Sequence, residues 1–224
     1  MDGFARAFLN REVMAHYLPD ILSGFLVTVQ LALVVVVSGI LAGLALAILR
    51  SLQLRPLNWL IVFGVDLLRA LPPLVILVIM YFALPNVGFR LSGFACTWLS
   101  LSLVLAAFAE EIFWAGILAV PKGQWEAARS TGLGFLQALG WVILPQAIRL
   151  AIPPLTNRTI AITKGTALGS VVAVQEILSQ AQSGQALSGN PSPLTLGALA
   201  YLILFIPVVW FGRWVETRFA WRRA

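Results

Sequence analysis

Ionisable side chains inside otherwise apolar segments are the residues of this sequence best suited to chemistry. Arg69, Glu110, Glu111 and Lys164 all fall near the middle of such segments. Because a charge held away from water is costly, it usually faces a polar cavity or an opposite charge. Carboxylates near guanidinium and ammonium groups suit a solute that carries both charges. These four residues therefore form a candidate path for a zwitterion.

The same charges can instead form structural ion pairs. Asp66 and Glu111 supply two negative charges, and Arg69 and Lys164 supply two positive ones, so the four can neutralise one another between helices. Glu110 and Glu111 are adjacent, which separates them by about 100° around a helix and points them in different directions. A catalytic pair of carboxylates is therefore not predicted, and we assign no catalytic residue.

Hydroxyl side chains accompany Lys164 at helical spacing. Thr163 and Thr166 lie on one narrow face of the same segment, together with neighbouring hydroxyls. They would line a polar path for a solute, and we include both in the candidate path. Alternatively, they bond back to carbonyl groups one turn earlier, as hydroxyls in membrane helices often do.

Few residues support other kinds of chemistry. The sequence has a single cysteine, Cys96, and a single histidine, His16, so we predict neither an intrachain disulfide nor a metal site. The net charge of +6 would suit nucleic acid, but the basic residues are scattered among apolar segments. That distribution fits the topology of a membrane protein better. We therefore predict contact with membrane lipid and none with nucleic acid.

Apolar segments dominate the chain. Of its 224 residues, 60% are hydrophobic and 11% are charged, whereas soluble domains carry about 25% charged residues. Residues 21–49 include no ionisable side chain and are long enough to cross ~30 Å of hydrocarbon. Gly39, Gly43 and Ala47 stand four residues apart there, which allows close helix packing.

We predict an all-α integral membrane protein whose five spans cover about residues 22–49, 57–84, 94–120, 150–174 and 194–214. The second of these spans carries Asp66 and Arg69, and the fourth carries Arg158 and Lys164.

Lysine and arginine are distributed unevenly between the loops. One side of the predicted membrane has three of them, at Arg6, Arg11 and Arg90. The other side has eight, at Arg50, Arg55, Lys122, Arg129, Arg213, Arg218, Arg222 and Arg223. The positive-inside rule places the eight in the cytoplasm. Residues 1–20 are then a periplasmic segment, residues 21–216 the membrane domain and residues 217–224 a cytoplasmic tail.

The loop between the third and fourth spans, residues 121–149, is longer than a turn requires. Residues 124–131 have the composition of a short helix, and Gly132 is a typical left-handed stop after it. A second short amphipathic helix is predicted to follow and to break at Pro145. By the distribution of charge this loop is cytoplasmic. From its composition alone, it also fits a helix that rests on the lipid surface.

The spacing of residues in this loop closely resembles the EAA loop of ATP-binding-cassette (ABC) import permeases. That family's pattern is Glu-Ala-Ala, three residues, Gly, a spacer, and Ile followed by Leu-Pro. Its counterparts here are Glu126, Ala127, Ala128, Gly132, Ile143, Leu144 and Pro145. The resemblance implies the type I permease fold, in which this coupling helix docks on an ATPase and passes its movement to the spans.

The likeness extends over nearly the whole chain and narrows to the polar amino acid branch of that family. Residues 81–85 (YFALP), 120–129 (VPKGQWEAAR) and 144–149 (LPQAIR) resemble segments of that branch. The resemblance implies a histidine-, glutamine-, arginine- or opine-like substrate. The chain departs from the branch at several positions: residues 69–74 read RALPPL where the branch has RGTPLL, Glu110 replaces an alanine, Trp114 an arginine and Ala167 a serine.

The resemblance also implies which charged residue binds which group of the substrate. Glu111 matches the family's acidic position on the third span and is predicted to bind the ammonium group of the substrate. Arg69 and Lys164 match basic positions and are predicted to bind its carboxylate. Glu110 has no family counterpart, and it would favour a cationic side chain if it also faced the cavity.

The family resemblance implies several partners and a location. These are a cytoplasmic ABC ATPase dimer, a second permease subunit that is identical or a sister chain, and an extracytoplasmic substrate-binding protein, all at a bacterial inner membrane. The sequence contains no GxxxxGK[ST] loop, so ATP and Mg²⁺ would be used by the ATPase, and we predict no cofactor bound by this chain.

The alternatives to an amino acid permease are an import permease for an opine or osmolyte, a passive channel, and an integral membrane enzyme. The enzyme would need clustered reactive side chains that these loops lack.

Overall fold

All regular secondary structure in the described part of the chain is helical. The computed structural model describes residue 3 and residues 7–219. Its helices are α1 (Arg11–Ser51), α2 (Arg55–Ala70), α3 (Pro73–Phe82), α4 (Gly93–Ala119), α5 (Lys122–Ser130), α6 (Phe135–Ala138), α7 (Leu144–Lys164), α8 (Ile177–Ser188) and α9 (Ser192–Phe219). The prediction of an all-α protein is confirmed. Residues 220–224 of the predicted tail, and with them Arg222 and Arg223 of the charge count, lie outside the described residues, as does Arg6.

Four helical stretches of the described chain are long and apolar enough to cross a membrane. They are Arg11–Ser51, Gly93–Ala119, Phe135–Val172 and Ser192–Arg218. A fifth is formed if α2 and α3, which meet at a bend of 98°, count as one span. Four to five spans agree with the five apolar segments of the sequence.

The bend between α2 and α3 has a local cause in two consecutive prolines. Leu71 and Pro72 adopt extended backbone angles, with ψ of 133° and 136°. A proline disfavours the helical conformation in the residue before it and lacks the N–H of a helical hydrogen bond. Pro73 then starts α3, where its missing N–H is harmless. The predicted second span, residues 57–84, is therefore two helices rather than one.

Pro145 does not break the helix, and that prediction is wrong. A turn of π-helix, Leu139–Ile143, precedes α7, and the Leu144 N–H donates to the carbonyl of Leu139. The wider turn lets the chain continue through a residue that has no N–H. The side-chain amide of Gln146 also donates to the Val142 carbonyl at 2.7 Å. Residues 135–172 therefore form one continuous helical stretch.

The described chain divides into two compact units. The first comprises Met1–Val36, Pro72–Ser102 and Ile162–Trp210. In its core, Ile177 and Ala181 of α8 pack against Ile21 and Ala200.

Glu176 caps the start of α8. Its carboxylate accepts hydrogen bonds from the backbone N–H groups of Leu178 and Ser179 and from the Tyr201 hydroxyl. Because Glu176 is fully buried, the pKa of its carboxyl is raised above the usual range.

The second unit comprises Val37–Leu71, Leu103–Ala161 and Phe211–Ala224. Its core joins α1, α4 and α7 through small and apolar residues, among them Ala47, Ala109 and Ala147. At Gly43 a Cβ atom would lie 2.5 Å from the Ala109 Cβ and 2.8 Å from the Ala106 carbonyl oxygen. The absence of a side chain is what lets α1 and α4 approach so closely, as the spacing of small residues predicts.

Replacing Gly43 by alanine should therefore destabilise the protein. The added methyl meets backbone atoms that cannot rotate away, and overpacking of this kind costs ~1–3 kcal/mol. Gly64 on α2 provides the control, since a methyl group added there would have nothing within 4 Å, and alanine gains up to ~1 kcal/mol of helix propensity. Thermal unfolding of the purified protein in detergent measures both variants. An unchanged unfolding temperature for Gly43→Ala would contradict the close approach of the two helices.

Candidate functional site

The two predicted site residues that come together are Arg69 and Glu111. Arg69 lies in the last turn of α2 and Glu111 in α4, and Nη2 of Arg69 is 2.6 Å from Oε2 of Glu111. The other terminal nitrogen of Arg69, Nη1, lies 3.7 Å from Oδ1 of Asp66. Arg69 is thus flanked by two carboxylates. The Glu111 side chain stays 48% exposed, which leaves it accessible to a solute.

A cavity of about 420 Å³ adjoins this ion pair. It is lined by Arg69, Phe108, Glu111, Ile112, Pro154, Asn157, Arg158 and Ala161. Its volume falls within the ~300–1,000 Å³ typical of small-molecule sites. The lining combines apolar walls with a few convergent charged and amide groups, which is the usual composition of a site that fixes the orientation of a polar ligand.

Arg158 is the charged residue of this cavity that the sequence-based site prediction missed, along with its uncharged lining residues. Its guanidinium carbon lies 3.6 Å from the centre of the Phe108 ring, and that of Arg69 lies 5.3 Å from the same ring. Both distances are within the range of cation–π attraction. A signal was available, because Arg158 is a charged residue inside the fourth apolar segment, the same criterion that singled out Lys164.

Glu110 lies in a different environment from Glu111. It is fully buried, and Nη1 of Arg50 donates to its two oxygens at 3.0 and 3.3 Å. The Arg50 guanidinium also lies 4.8 Å from the centre of the Trp114 ring. Glu110 is not among the residues that line the cavity. The expectation that adjacent glutamates point in different directions is confirmed. Glu110 forms an ion pair with Arg50 in this structure, and its place in the solute path stays a prediction.

The remaining residues of the predicted path belong to the first unit. Lys164 is exposed at the end of α7, where the chain tightens into the 3₁₀ segment Gly165–Val172. Thr163 and Thr166 are buried, and the Thr166 hydroxyl donates to the Thr163 carbonyl at 2.8 Å. That bond matches the alternative interpretation of these hydroxyls, in which they satisfy nearby backbone groups.

The predicted coupling loop forms a short helix with one exposed edge. Helix α5 ends before Gly132, which has a φ of +89°, as expected for a left-handed stop. Glu126 and Ala127 are exposed, whereas Ala128 is 6% exposed and faces the chain's own interior. The loop is anchored by fully buried Ile143, which packs in the core of the second unit. Leu144 and Pro145 continue from it as the start of α7.

An aromatic contact holds the two short helices of this loop together. Trp125 of α5 stacks on Phe135 of α6, with ring centres 5.4 Å apart. Gln146 of α7 donates a side-chain hydrogen bond to Gln124 at 3.2 Å. The loop is thereby fixed to the start of a membrane-length helix. A force applied at Glu126 would be transmitted to that helix rather than absorbed by a mobile turn.

A charged cavity lined in part by membrane-length helices, together with an exposed short helix fixed to one of them, is the arrangement expected of a membrane transport subunit. A family model described as binding-protein-dependent transport system inner membrane component matches residues 36–221. The chain belongs to this family, and the predicted resemblance is confirmed. It is therefore a multi-pass membrane protein of a transport assembly and not an enzyme.

Two curated relatives from Bacillus subtilis cover nearly the whole chain. The probable glutamine ABC transporter permease protein GlnM is 37% identical, covering 94% of this chain and 98% of that protein. The arginine transport system permease protein ArtQ is 32% identical, covering 90% and 93%. Both are named as permeases, but for different amino acids.

Solved structures give the same fold. A crystal structure of an amino acid ABC transporter with histidines matches with a TM-score of 0.83 at 30% identity, covering 92% of this chain and 96% of that one. The MetNI methionine ABC transporter in an inward-facing form matches with a TM-score of 0.74 at 19% identity, covering 93% and 98%. This second likeness shows the type I permease fold alone.

Proposed function

We propose that this chain is the permease subunit of a bacterial ABC importer that moves a polar amino acid, or a related zwitterion, across the inner membrane. The observation that carries the proposal is the Arg69–Glu111 ion pair at the edge of a cavity of about 420 Å³. The relatives' names support the substrate class, since they include permeases for glutamine and arginine. An opine is a second candidate of the same zwitterionic kind.

The ion pair can exchange its partner for a solute. An α-amino acid carries an ammonium group that can replace Arg69 beside Glu111, and a carboxylate that can replace Glu111 beside Arg69. Because both exchanges keep every charge paired, neither leaves Arg69 or Glu111 without an opposite charge beside it. Lys164 is a second candidate for the substrate carboxylate, and Thr163 and Thr166 are candidates for lining the path.

The chain is expected to work with several partners. We propose a second permease subunit, identical or a sister chain, because five spans enclose too little volume for a path of their own. A cytoplasmic ABC ATPase dimer would use ATP and Mg²⁺ and contact the permease at Glu126 and Ala127. An extracytoplasmic binding protein would deliver the substrate. The amino terminus is then outside and the carboxyl terminus in the cytoplasm, as the distribution of basic residues favours.

Neutralising the site charges tests this function. We expect Glu111→Gln and Lys164→Met to assemble with their partners in normal yield while lowering ATP-driven amino acid uptake by about tenfold or more, the equivalent of one lost charge-assisted bond. Uptake into proteoliposomes and the yield of purified complex are measured together. Asp20→Asn, which removes an exposed carboxylate outside the cavity, serves as the control.

The two measurements separate a substrate role from structural pairing. If Arg69 and Glu111 only hold helices together, Glu111→Gln should lower the yield of complex, because a partly buried guanidinium loses its closer carboxylate. A well-assembled Glu111→Gln complex that imports at the wild-type rate would contradict the proposed site.

A further inference from the structure

We infer that Arg158 makes this cavity select an amino acid that carries a second carboxylate over a neutral or cationic one. The inference rests on the proposed function, because it assigns a substrate class to the same cavity. Its basis is the balance of charge among the lining residues. Those residues include two guanidinium groups and one carboxylate. The second carboxylate near Arg69, that of Asp66, is outside the lining and 65% exposed, so solvent screens its charge. The lining itself therefore offers one more positive charge than negative.

Arg69 does not account for the excess charge. Its two terminal nitrogens already face Glu111 at 2.6 Å and Asp66 at 3.7 Å. No carboxylate of the described residues forms an ion pair with Arg158, whose guanidinium instead lies against the face of Phe108 at 3.6 Å. Arg158 is therefore the lining cation that remains available for an anion brought in by the solute.

Phe108 orients Arg158 without occupying its hydrogen-bond donors. An aromatic face attracts the flat side of a guanidinium, and a phenylalanine has no hydroxyl that could accept a hydrogen bond. The N–H donors at the edge of the guanidinium stay available, and their planar fork matches a carboxylate. The side chain is held in place and ready to bind an anion.

The surroundings suit a dicarboxylic amino acid in particular. The Arg69–Glu111 pair can take the α-ammonium and α-carboxylate groups, and Arg158 can take the second carboxylate. Asn157, which also lines the cavity, adds an amide that can donate to the same group. A neutral side chain would leave Arg158 unpaired, and a cationic side chain would place a like charge beside it. The expected order of affinity is dicarboxylic, then neutral, then cationic.

Direct binding to the assembled permease–ATPase complex tests this order without the binding protein. The complex is placed in lipid nanodiscs, and binding of radiolabelled L-glutamate, L-glutamine and L-arginine is measured. The wild type should bind glutamate about tenfold more tightly than glutamine, which corresponds to one additional charge-assisted bond, and arginine most weakly. Arg158→Gln should bring glutamate to the affinity of glutamine, while its affinity for glutamine stays within about twofold.

Two further variants keep the test specific. Arg158→Lys retains the charge and should retain a preference for glutamate. Arg90→Gln removes a positive charge from an exposed residue that does not line the cavity, and it should change nothing. If the wild type binds all three amino acids equally or prefers arginine, the inference is wrong and the amino acid site stands. If none of the three binds, the proposed amino acid substrate is contradicted together with the inference.

Discussion

Replacing Glu126 by lysine should abolish ATP-driven import while leaving the chain folded. Glu126 is exposed on α5, so reversing its charge costs the isolated subunit little. At a docking site the same change would set a cation against the basic partner residue that the coupling-loop resemblance implies. Disrupting a close charge pair at an interface costs ~2–5 kcal/mol, so the ATPase should bind at least about thirtyfold more weakly. Copurification of the ATPase and its stimulation by loaded binding protein measure the effect.

Cysteine crosslinking provides an independent check on the same contact. Ala127 is exposed beside Glu126, whereas Ala128 is buried, so position 127 is the better reporter. The native Cys96 is fully buried and should not react. Ala127→Cys should capture the ATPase, and Leu187→Cys, 79% exposed on α8, should not. Capture from position 127 would also place the loop, and with it the carboxyl terminus, in the cytoplasm. If Glu126→Lys assembles and transports normally, the docking role is wrong.

Removing Arg50 should cause the largest loss of stability among the single substitutions considered. Arg50→Met leaves Glu110, which is fully buried, without its ion-pair partner. Breaking a buried pair by deleting one side costs ~3–5 kcal/mol. We expect a marked fall in unfolding temperature and in the yield of complex. Arg55→Met removes an exposed arginine at the start of α2 and should leave both measurements close to the wild type.

The double variant distinguishes a broken pair from a lost function. Arg50→Met with Glu110→Met replaces both charges by apolar side chains of similar length, a change that is often neutral or stabilising for a buried ion pair. It should recover most of the stability that Arg50→Met loses. If instead each single variant is stable and import fails, Glu110 belongs to the solute path after all.

The short-range features of this fold could be predicted from the sequence. Gly132 marks the end of α5, and the spacing of Gly39 and Gly43 indicates the close approach of α1 to α4. In both cases the physical cause is local: a backbone angle that favours glycine, or the absence of a side chain on one helix face. The helical type of the long apolar segments follows from hydropathy in the same way, whereas their limits do not: the first helix begins at Arg11 rather than near residue 22, and the fourth helical stretch begins at Phe135 rather than near residue 150.

Features that depend on pairing between distant residues could not be predicted in this way. Glu110 and Trp114 depart from the polar amino acid branch, and the structure places both against Arg50, 60 residues before Glu110. Read singly, the two departures suggest an altered substrate, whereas together they form one stabilising set around a single guanidinium. Arg158 was likewise visible as a charge in an apolar segment, but its contact with Phe108 depends on how α4 and α7 pack.

Whether a proline breaks a helix could not be predicted from the residues next to it. Pro72 and Pro73 end one helix and begin another, but the hydropathy of residues 57–84 runs across them without a break. Pro145 has the same chemistry and leaves the helix continuous, because a π-turn directly before it accommodates the missing N–H. Which outcome occurs depends on the backbone that the neighbouring helices hold in place, and a proline in the sequence does not reveal that.

ATP-dependent uptake by the purified assembly tests the central claim most directly. Proteoliposomes would contain this chain with its ATPase and any sister permease, and would receive the binding protein and a radiolabelled amino acid outside and ATP inside. The permease role predicts accumulation above the external concentration that requires ATP, binding protein and this chain together. Uptake that only equilibrates and proceeds equally without ATP, or an assembly that imports normally when this chain is left out, would contradict it.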